Sequence, residues 1–304
     1  MNSQQKIMTF LILLIAVTKP ALADDVVSGT AVSPLQQWKD GRIERLKKPH
    51  GWLSLVGLEW LHKGENSIGS DSSNDIILSH GPAFLGSFVL SSNNKLQFQP
   101  KENNQIKANG EVFNDDIEVY ADSHESEAAT ELTVDSFKFV VVERGKLGVR
   151  IWDAKAKTRT EFSGIDYFPE DESRRVVADF TPYEPVKMIP IVNVLGILNE
   201  TPSPGRLDFY LDGKRYSIDA LDSTDDYYII FADKTSGRTT YGPGRFIYTE
   251  SKVNENGQVV MDFNKAYNPP CSFTAYSTCS LPPRQNRLPI EIKAGEKKYG
   301  NSVY

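Results

Sequence analysis

RLDFYLDGKRYSIDAL, residues 206–221, has the pattern of a β-hairpin. Asp212-Gly213 lies between two runs in which apolar and polar side chains alternate, and Asp-Gly is a preferred pair for a two-residue hairpin turn. The alternation places Leu207, Phe209 and Leu211 on one face, as in a strand with one buried side. These residues therefore predict antiparallel sheet in the second half of the chain.

The same kind of pattern extends over most of the sequence. From Trp52 onward, short apolar alternations are separated by clusters of Gly, Asn, Asp and Ser about ten residues apart, which is typical of β-sandwiches and barrels. One earlier segment differs, because Ser33-Pro34 is a helix start signal and Leu35 begins a helical apolar spacing. We predict a helix over residues 34–47 with a solvated charged face, followed by a mostly β fold.

The N-terminus has the features of a secretory signal peptide. An apolar run from Met8 to Val17 is too short to span a bilayer, and Ala21-Leu22-Ala23 fits a signal-peptidase site. We therefore expect cleavage near Ala23 and a periplasmic or secreted protein without a membrane span. Removing residues 1–23 takes away two of the 34 basic side chains and leaves 40 acidic ones, a net charge of −8, so we expect no nucleic-acid partner.

These features divide the chain into four parts. Residues 1–23 are the signal peptide, 24–50 a linker and helix, 51–157 a β-sandwich domain, and 158–304 a β-rich domain with a proline- and cysteine-containing loop. The boundary is placed in the acidic, turn-rich stretch that begins at residue 158.

Residues 262–287, DFNKAYNPPCSFTAYSTCSLPPRQNR, contain both cysteines and four prolines. Paired prolines exclude a helix or a central strand, while the many aromatic side chains argue against a solvated linker, so we predict an ordered loop. In an exported chain, Cys271 and Cys279 favour a disulfide, with a reactive thiol as the alternative. The four histidines do not have zinc-site spacing, and we expect no metal and no cofactor.

Candidate binding groups cluster in the last third of the chain. A turn at residues 242–244 precedes Arg245, where backbone amides and a guanidinium could hold a carboxylate or phosphate while Asp233 accepts or orients a proton. The alternative is a turn between two strands, with Arg245 paired to a nearby acid. Polar groups around the proline pair could likewise bind a small polar ligand or simply cap turns. The candidate ligand-binding residues are Asp233, Arg245, Asp262, Asn264, Tyr267 and Asn268.

Longer motifs resemble a known family. DFNKAYNPPC followed by TCSLPPRQNRLPIEIKAGEKKY, with GWLSLVGLEWLHKGENSIG (residues 51–69) and TSGRTTYGPGRF (residues 235–246), is similar to domain-of-unknown-function family 1684. That resemblance implies no established activity.

A second resemblance concerns the N-terminal half. The spacing of residues 65–78, 106–113 and 132–153 resembles forkhead-associated (FHA) domains, which implies an FHA-like β-sandwich. The phosphothreonine-binding residues of that fold are not matched, because Ser70 stands where an Arg is required and residues 81–87 have no Ser-x-x-His.

Two functions remain open from the sequence. The first is binding of a small polar molecule or an envelope protein through loops of the C-terminal domain. The second is an envelope hydrolase that uses Asp233 and Asp262 as acid or base. No nucleophile elbow, P-loop, dinucleotide motif or zinc-protease motif occurs, and binding is the favoured hypothesis.

Overall fold

A computed structural model describes residues 32–102 and 105–300 of the chain. The predicted signal peptide, residues 1–23, lies outside the described residues, as does most of the following linker. Helix α1 spans Pro34–Leu46, which confirms the predicted helix to within one residue. Its charged face is not wholly solvated, because Arg42 is buried. The prediction of a solvated face is wrong at this position, where a distant carboxylate, Glu296, receives the guanidinium.

The N-terminal β region contains two sheets. A six-stranded sheet has the order β1-β11-β10-β9-β6-β7 and a five-stranded sheet the order β3-β2-β4-β5-β8. The strands are β1 (Leu55–Trp60), β2 (Gly64–Gly69), β3 (Ile76–Ile77), β4 (Gly86–Leu90), β5 (Leu96–Pro100), β6 (Lys107–Ala108), β7 (Glu111–Val112), β8 (Ile117–Glu118), β9 (Glu131–Val134), β10 (Phe137–Glu143) and β11 (Leu147–Asp153). A short 3-10 turn, Trp52–Ser54, precedes β1.

One hydrophobic core fills the space between these two sheets. Phe88 and Phe98 from the five-stranded sheet and Phe139 from the six-stranded sheet are fully buried in it, with the first two rings edge to face. Because side chains alternate between the two faces of a strand, each sheet contributes to this core the side chains of one face only. The predicted β-sandwich in this half of the chain is confirmed.

The C-terminal β region is a single antiparallel sheet with the order β16-β15-β14-β13-β12-β17. Its strands are β12 (Arg175–Val192), β13 (Leu198–Leu211), β14 (Lys214–Asp222), β15 (Tyr227–Phe231), β16 (Arg245–Tyr248) and β17 (Gln258–Asp262). A one-turn helix, α2 (Lys157–Thr160), precedes it.

The predicted hairpin is confirmed in this sheet. Leu211 pairs with Lys214 across the two-residue turn, and Asp212 and Gly213 both have positive φ, 52° and 73°, as a type I′ turn requires. Leu207, Phe209 and Leu211 are buried in a second core, which lies on this sheet.

Residues 262–287 are ordered and lie against both β regions. The helical structure of this segment is limited to three short 3-10 turns, Phe263–Lys265, Pro270–Ser272 and Arg284–Asn286. Asn286 donates to the backbone oxygens of Asp219 and Ile230, and Thr274 donates to that of Leu55. From Pro34 onward the described residues form one compact unit, and the division into domains at residue 158 stays a prediction.

Candidate functional site

Asp233 and Arg245 pair with each other inside the protein. Both side chains are fully buried, and Arg245 Nη2 lies 2.7 Å from Asp233 Oδ2 and 2.9 Å from the backbone oxygen of Ile292. Arg245 Nη1 also donates to the backbone oxygen of Ala294. Asp233 Oδ1 accepts from the amide of Thr235 at 2.6 Å. The pair thus joins the end of β15 to the start of β16 and to the C-terminal segment.

Asp262 and Asn264 are also held by neighbouring groups. Asp262 Oδ1 accepts from the backbone amide of Asn264 at 3.0 Å and from its Nδ2 at 2.9 Å. The side chain of Asn264 also bonds both backbone groups of Asp171. These contacts fasten the loop before β12 to the segment after β17.

Asn268 and Tyr267 lie next to helix α1. Asn268 is fully buried. Its backbone amide donates to the Glu296 carboxylate at 2.7 Å, and its backbone oxygen accepts from Arg42 Nη2 at 2.8 Å. The guanidinium of Arg42 also lies 4.8 Å from the centre of the Tyr267 ring. Of the six candidate residues, Tyr267 lines a cavity in the protein surface. A ligand-binding role for the set stays a prediction.

That cavity is part of a cleft between the two β regions. Two adjoining cavities of about 290 and 410 Å³ share the walls formed by Trp52, Tyr228, Phe246 and Pro270. We call this feature the cationic cleft. Its remaining lining residues are Arg42, Arg45, Leu46, Lys48, Gly51, Arg144, Arg150, Tyr267, Ser277, Thr278, Cys279 and Ser280.

The charge of the cleft is of one sign. Five lining residues are Arg or Lys and none is Asp or Glu. Arg42 is neutralised by Glu296 at 2.9 Å, and Arg144 is neutralised by Asp122 at 2.7 Å. Within residues 32–102 and 105–300, the other three cations, Arg45, Lys48 and Arg150, form no ion pair. A protein with an acidic surface therefore carries a local positive potential here.

Arg150 is the unusual member of this group. It lies on β11 between Val149 and Ile151, which point into the sandwich core, so its own side chain points the opposite way, toward the cleft. Only 8% of its surface is exposed. Nη2 donates to Thr278 Oγ1 at 3.0 Å, and the buried Nε has no hydrogen-bond partner. Burial, and then the neighbouring charge of Arg144, lowers the pKa of Arg150.

Aromatic rings form the opposite wall. Tyr228 lies edge to face against Phe246 at 5.2 Å, and Tyr267 stacks on Tyr248 at 6.2 Å. Burial raises the pKa of Tyr228 and Tyr267, so both phenols stay neutral. The cleft therefore offers positive charge and aromatic side chains to a bound molecule.

A cavity elsewhere in the protein, larger than either of these two, has a different character. It measures about 540 Å³ at one end of the sandwich, and its lining includes both cations, such as Lys95 and Lys146, and anions, such as Glu118 and Glu143. Its charges can compensate one another without a ligand. The cationic cleft has no anion in its lining and contains a buried guanidinium without an ion pair, so it is the better candidate site.

Arg150 and Trp52 were not among the residues that the sequence suggested. One signal did exist, since a charged residue interrupts the apolar run GVRIW inside a predicted strand. The contact that gives Arg150 its importance, with Thr278, spans 128 positions and cannot be derived from local spacing.

Two further properties concern the described part of the chain. No helix within it has the length and apolar character needed to cross a membrane. Among the same residues, no three His, Cys, Asp or Glu side chains come together as metal ligands would.

The fold and the site together define a mostly β protein with a cationic, aromatic cleft. Residues 160–297 match the family model described as "Protein of unknown function (DUF1684)", which confirms the resemblance carried by the C-terminal motifs. No curated protein matches the chain.

Two solved structures are similar to parts of the chain. The solution structure of an uncharacterized protein from Haloarcula marismortui is 28% identical, with 46% of this chain and 80% of that chain covered and a TM-score of 0.39. The crystal structure of Rad53 with AMP-PNP is 11% identical, with 73% and 51% covered and a TM-score of 0.19. Neither likeness bears on function.

Proposed function

We propose that this protein binds a small anionic molecule with a ring, such as a phosphorylated or carboxylated sugar, in the cationic cleft. The observation that carries the proposal is Arg150, a buried guanidinium that faces a cavity without a carboxylate partner. A buried charge costs free energy unless it is paired, and a ligand phosphate or carboxylate would pair it.

The rest of the cleft suits the same class of ligand. A guanidinium matches phosphate and carboxylate oxygens in geometry as well as charge, and Arg150 lines the cavity. Trp52, Tyr228 and Tyr267 supply ring faces against which a sugar or aromatic ring can pack. Binding sites for small molecules have volumes from about 300 Å³ upward, and the volume of each of the two cavities is near or above this limit.

Binding rather than hydrolysis is the function that the geometry supports. The carboxylates of Asp233 and Asp262 are engaged by Arg245 and Asn264, and neither lines the cleft. A general acid or base must reach a proton of the substrate.

Calorimetry with glucose 6-phosphate, glucuronate and glucose tests the proposal. We expect the two anions to bind and neutral glucose not to bind, with affinity that falls as salt is added. Arg150→Met keeps the apolar stem and removes the charge; loss of a charged hydrogen bond is worth about 1.5–3 kcal/mol, or about 10–150-fold in Kd.

Arg215→Met is the matched control. Arg215 is also an arginine on a strand, but its side chain is 61% exposed and lies outside the cleft. The Arg215→Met variant should therefore bind glucose 6-phosphate with the same affinity as the wild type. Equal binding of glucose and glucose 6-phosphate, or unchanged affinity in Arg150→Met, would contradict the proposal.

A further inference from the structure

The two cysteines are held side by side as free thiols. The backbone amide of Cys271 donates to Cys279 Sγ at 3.1 Å, and the amide of Cys279 donates to Cys271 Sγ at 3.3 Å. This reciprocal arrangement places the sulfurs close enough that a small movement would join them at the bond length of about 2.05 Å.

The surrounding donors distinguish the two sulfurs. Ser277 Oγ donates to Cys271 Sγ at 3.0 Å and lies farther, 3.5 Å, from Cys279 Sγ, while each sulfur accepts from the backbone amide of the other cysteine. The thiol of Cys279, followed by Ser277, lowers the pKa of Cys271 to about 7, and the Arg150 charge adds to this. The neighbouring Cys271 thiol, together with burial, raises the pKa of Cys279. Both shifts favour Cys271 as the sulfur that loses its proton first.

Exposure follows the same order. Cys271 is half-buried, whereas Cys279 is 8% exposed. A reactive cysteine that is more accessible than its neighbour, and has the lower pKa, is the usual arrangement of an attacking and a resolving thiol.

The backbone around the pair is fixed on both sides. Val194 donates to the backbone oxygen of Cys279, and Leu281 donates to that of Val192, so the end of β12 holds the second cysteine. Pro269 and Pro270 stiffen the chain before the first. Ser277 and Cys279 line the cationic cleft, and Cys271 lies beside Cys279 in a small adjoining cavity.

We propose that Cys271 and Cys279 form a redox couple that exchanges with an anionic low-molecular-weight disulfide, with Cys271 as the attacking thiolate. Only the preference for an anion rests on the proposed function of the cleft. The Cys271 sulfur attacks one sulfur of R–S–S–R, forming a mixed disulfide and releasing the first RS⁻, which takes the proton lost by Cys271. Cys279 then attacks Cys271, gives its proton to the second RS⁻, and closes the intramolecular disulfide. The protein loses two electrons, and the small disulfide becomes two thiols.

Reduced full-length protein treated with glutathione disulfide tests the exchange. We expect the wild type to form the intramolecular bond, Cys279→Ser to accumulate a glutathione adduct on Cys271, and Cys271→Ser to form little adduct on Cys279. Peptide mapping by mass spectrometry assigns each sulfur. If neither a wild-type disulfide nor an adduct on Cys271 forms, the redox couple is overturned.

Two further measurements keep the outcome clear if a variant folds poorly. In the wild type, iodoacetamide should modify Cys271 several-fold faster than Cys279, with a rate that rises through about pH 7, and Ser277→Ala should slow it. Equal rates at the two cysteines would contradict the assigned roles.

Cystamine, a cationic disulfide, separates this proposal from that of anion binding. If the wild type exchanges faster with glutathione disulfide than with cystamine, and Arg150→Met loses this difference in rate, both proposals are supported. Equal exchange with both disulfides supports the redox couple and removes the preference for an anion.

Discussion

Two buried arginines differ in how completely their charge is paired. Arg245 and Arg150 both have a buried Nε without a partner, so the difference between them is the counter-charge. Arg245 has the carboxylate of Asp233 and two backbone oxygens, whereas Arg150 has one hydroxyl. The first ion pair is complete without a ligand, and the second cation is not.

Removing one member of the complete pair should destabilise the fold. In Asp233→Ala the fully buried guanidinium of Arg245 loses its counter-ion, and breaking a buried pair costs about 3–5 kcal/mol. Urea unfolding measures the free energy of unfolding. Glu291→Ala removes the exposed partner of Arg238 and should cost about 0–1 kcal/mol. A loss below that of the surface control would contradict a structural role for the pair.

At the scale of the element, the central hairpin carries a charged network on its outer face. Asp208 on β13 is buried and accepts from Ser217 on β14, from Arg206 at 2.9 Å and from Thr181 on β12 at 3.4 Å. Burial alone would raise the pKa of Asp208, but the hydrogen bonds from Arg206 and Ser217 outweigh it and lower that pKa. The network therefore joins three neighbouring strands through one carboxylate.

The sign of this shift predicts an acid-dependent contribution to stability. A lowered folded-state pKa stabilises the fold above the unfolded value of about 3.9 and loses that stabilisation as the pH falls through the folded value. Asp208→Asn should therefore lower the free energy of unfolding by about 1–3 kcal/mol at pH 7, with a smaller difference below about pH 4. Unfolding by urea across this pH range measures it.

Asp212→Asn in the same hairpin is the control. Asp212 is half exposed and pairs with Arg174 at the surface, so the change should cost about 0–1 kcal/mol at any pH. A pH-independent loss in Asp208→Asn would show that the carboxylate charge is not the cause.

At the scale of the whole molecule, we propose that the chain is exported and that the compartment sets the state of its thiols. The signal peptide of residues 1–23 predicts a mature protein that begins at Asp24 and encounters an oxidising environment. Isolated from that compartment, it should take up two alkyl groups only after reduction, because Cys271 and Cys279 are then bonded. Intact-mass analysis reads both the N-terminus and the alkyl groups. A chain that begins earlier, or is alkylated twice without reduction, would refute this expectation.

The periodic features of this protein could be read from its sequence because they are local. The spacing from Pro34 predicts helix α1, and Asp212-Gly213 predicts a hairpin whose inward face is Leu207, Phe209 and Leu211. Apolar alternation is set by the geometry of each strand, and turn residues by the φ they must adopt. These constraints act within a few positions of each other.

The surroundings of the charged and polar groups could not be predicted from local sequence in the same way. Asp233 and Arg245 were predicted to be neighbours, and the structure confirms this. Whether such an ion pair faces a ligand or the protein interior depends on which other segments cover the pair. Ile292 and Ala294 cover it here, about fifty positions away. Arg42 was expected at the surface and is buried by Glu296, 254 positions along the chain.

The sequence by itself therefore determined the element types, the buried faces and the family resemblance, since these follow from short-range stereochemistry and long motifs. Only the tertiary structure decided where the cleft lies, because it forms where β11, helix α1 and the proline- and cysteine-containing loop meet. The free energy of a buried charge depends on which groups surround it in space, and distant segments of the chain supply those groups.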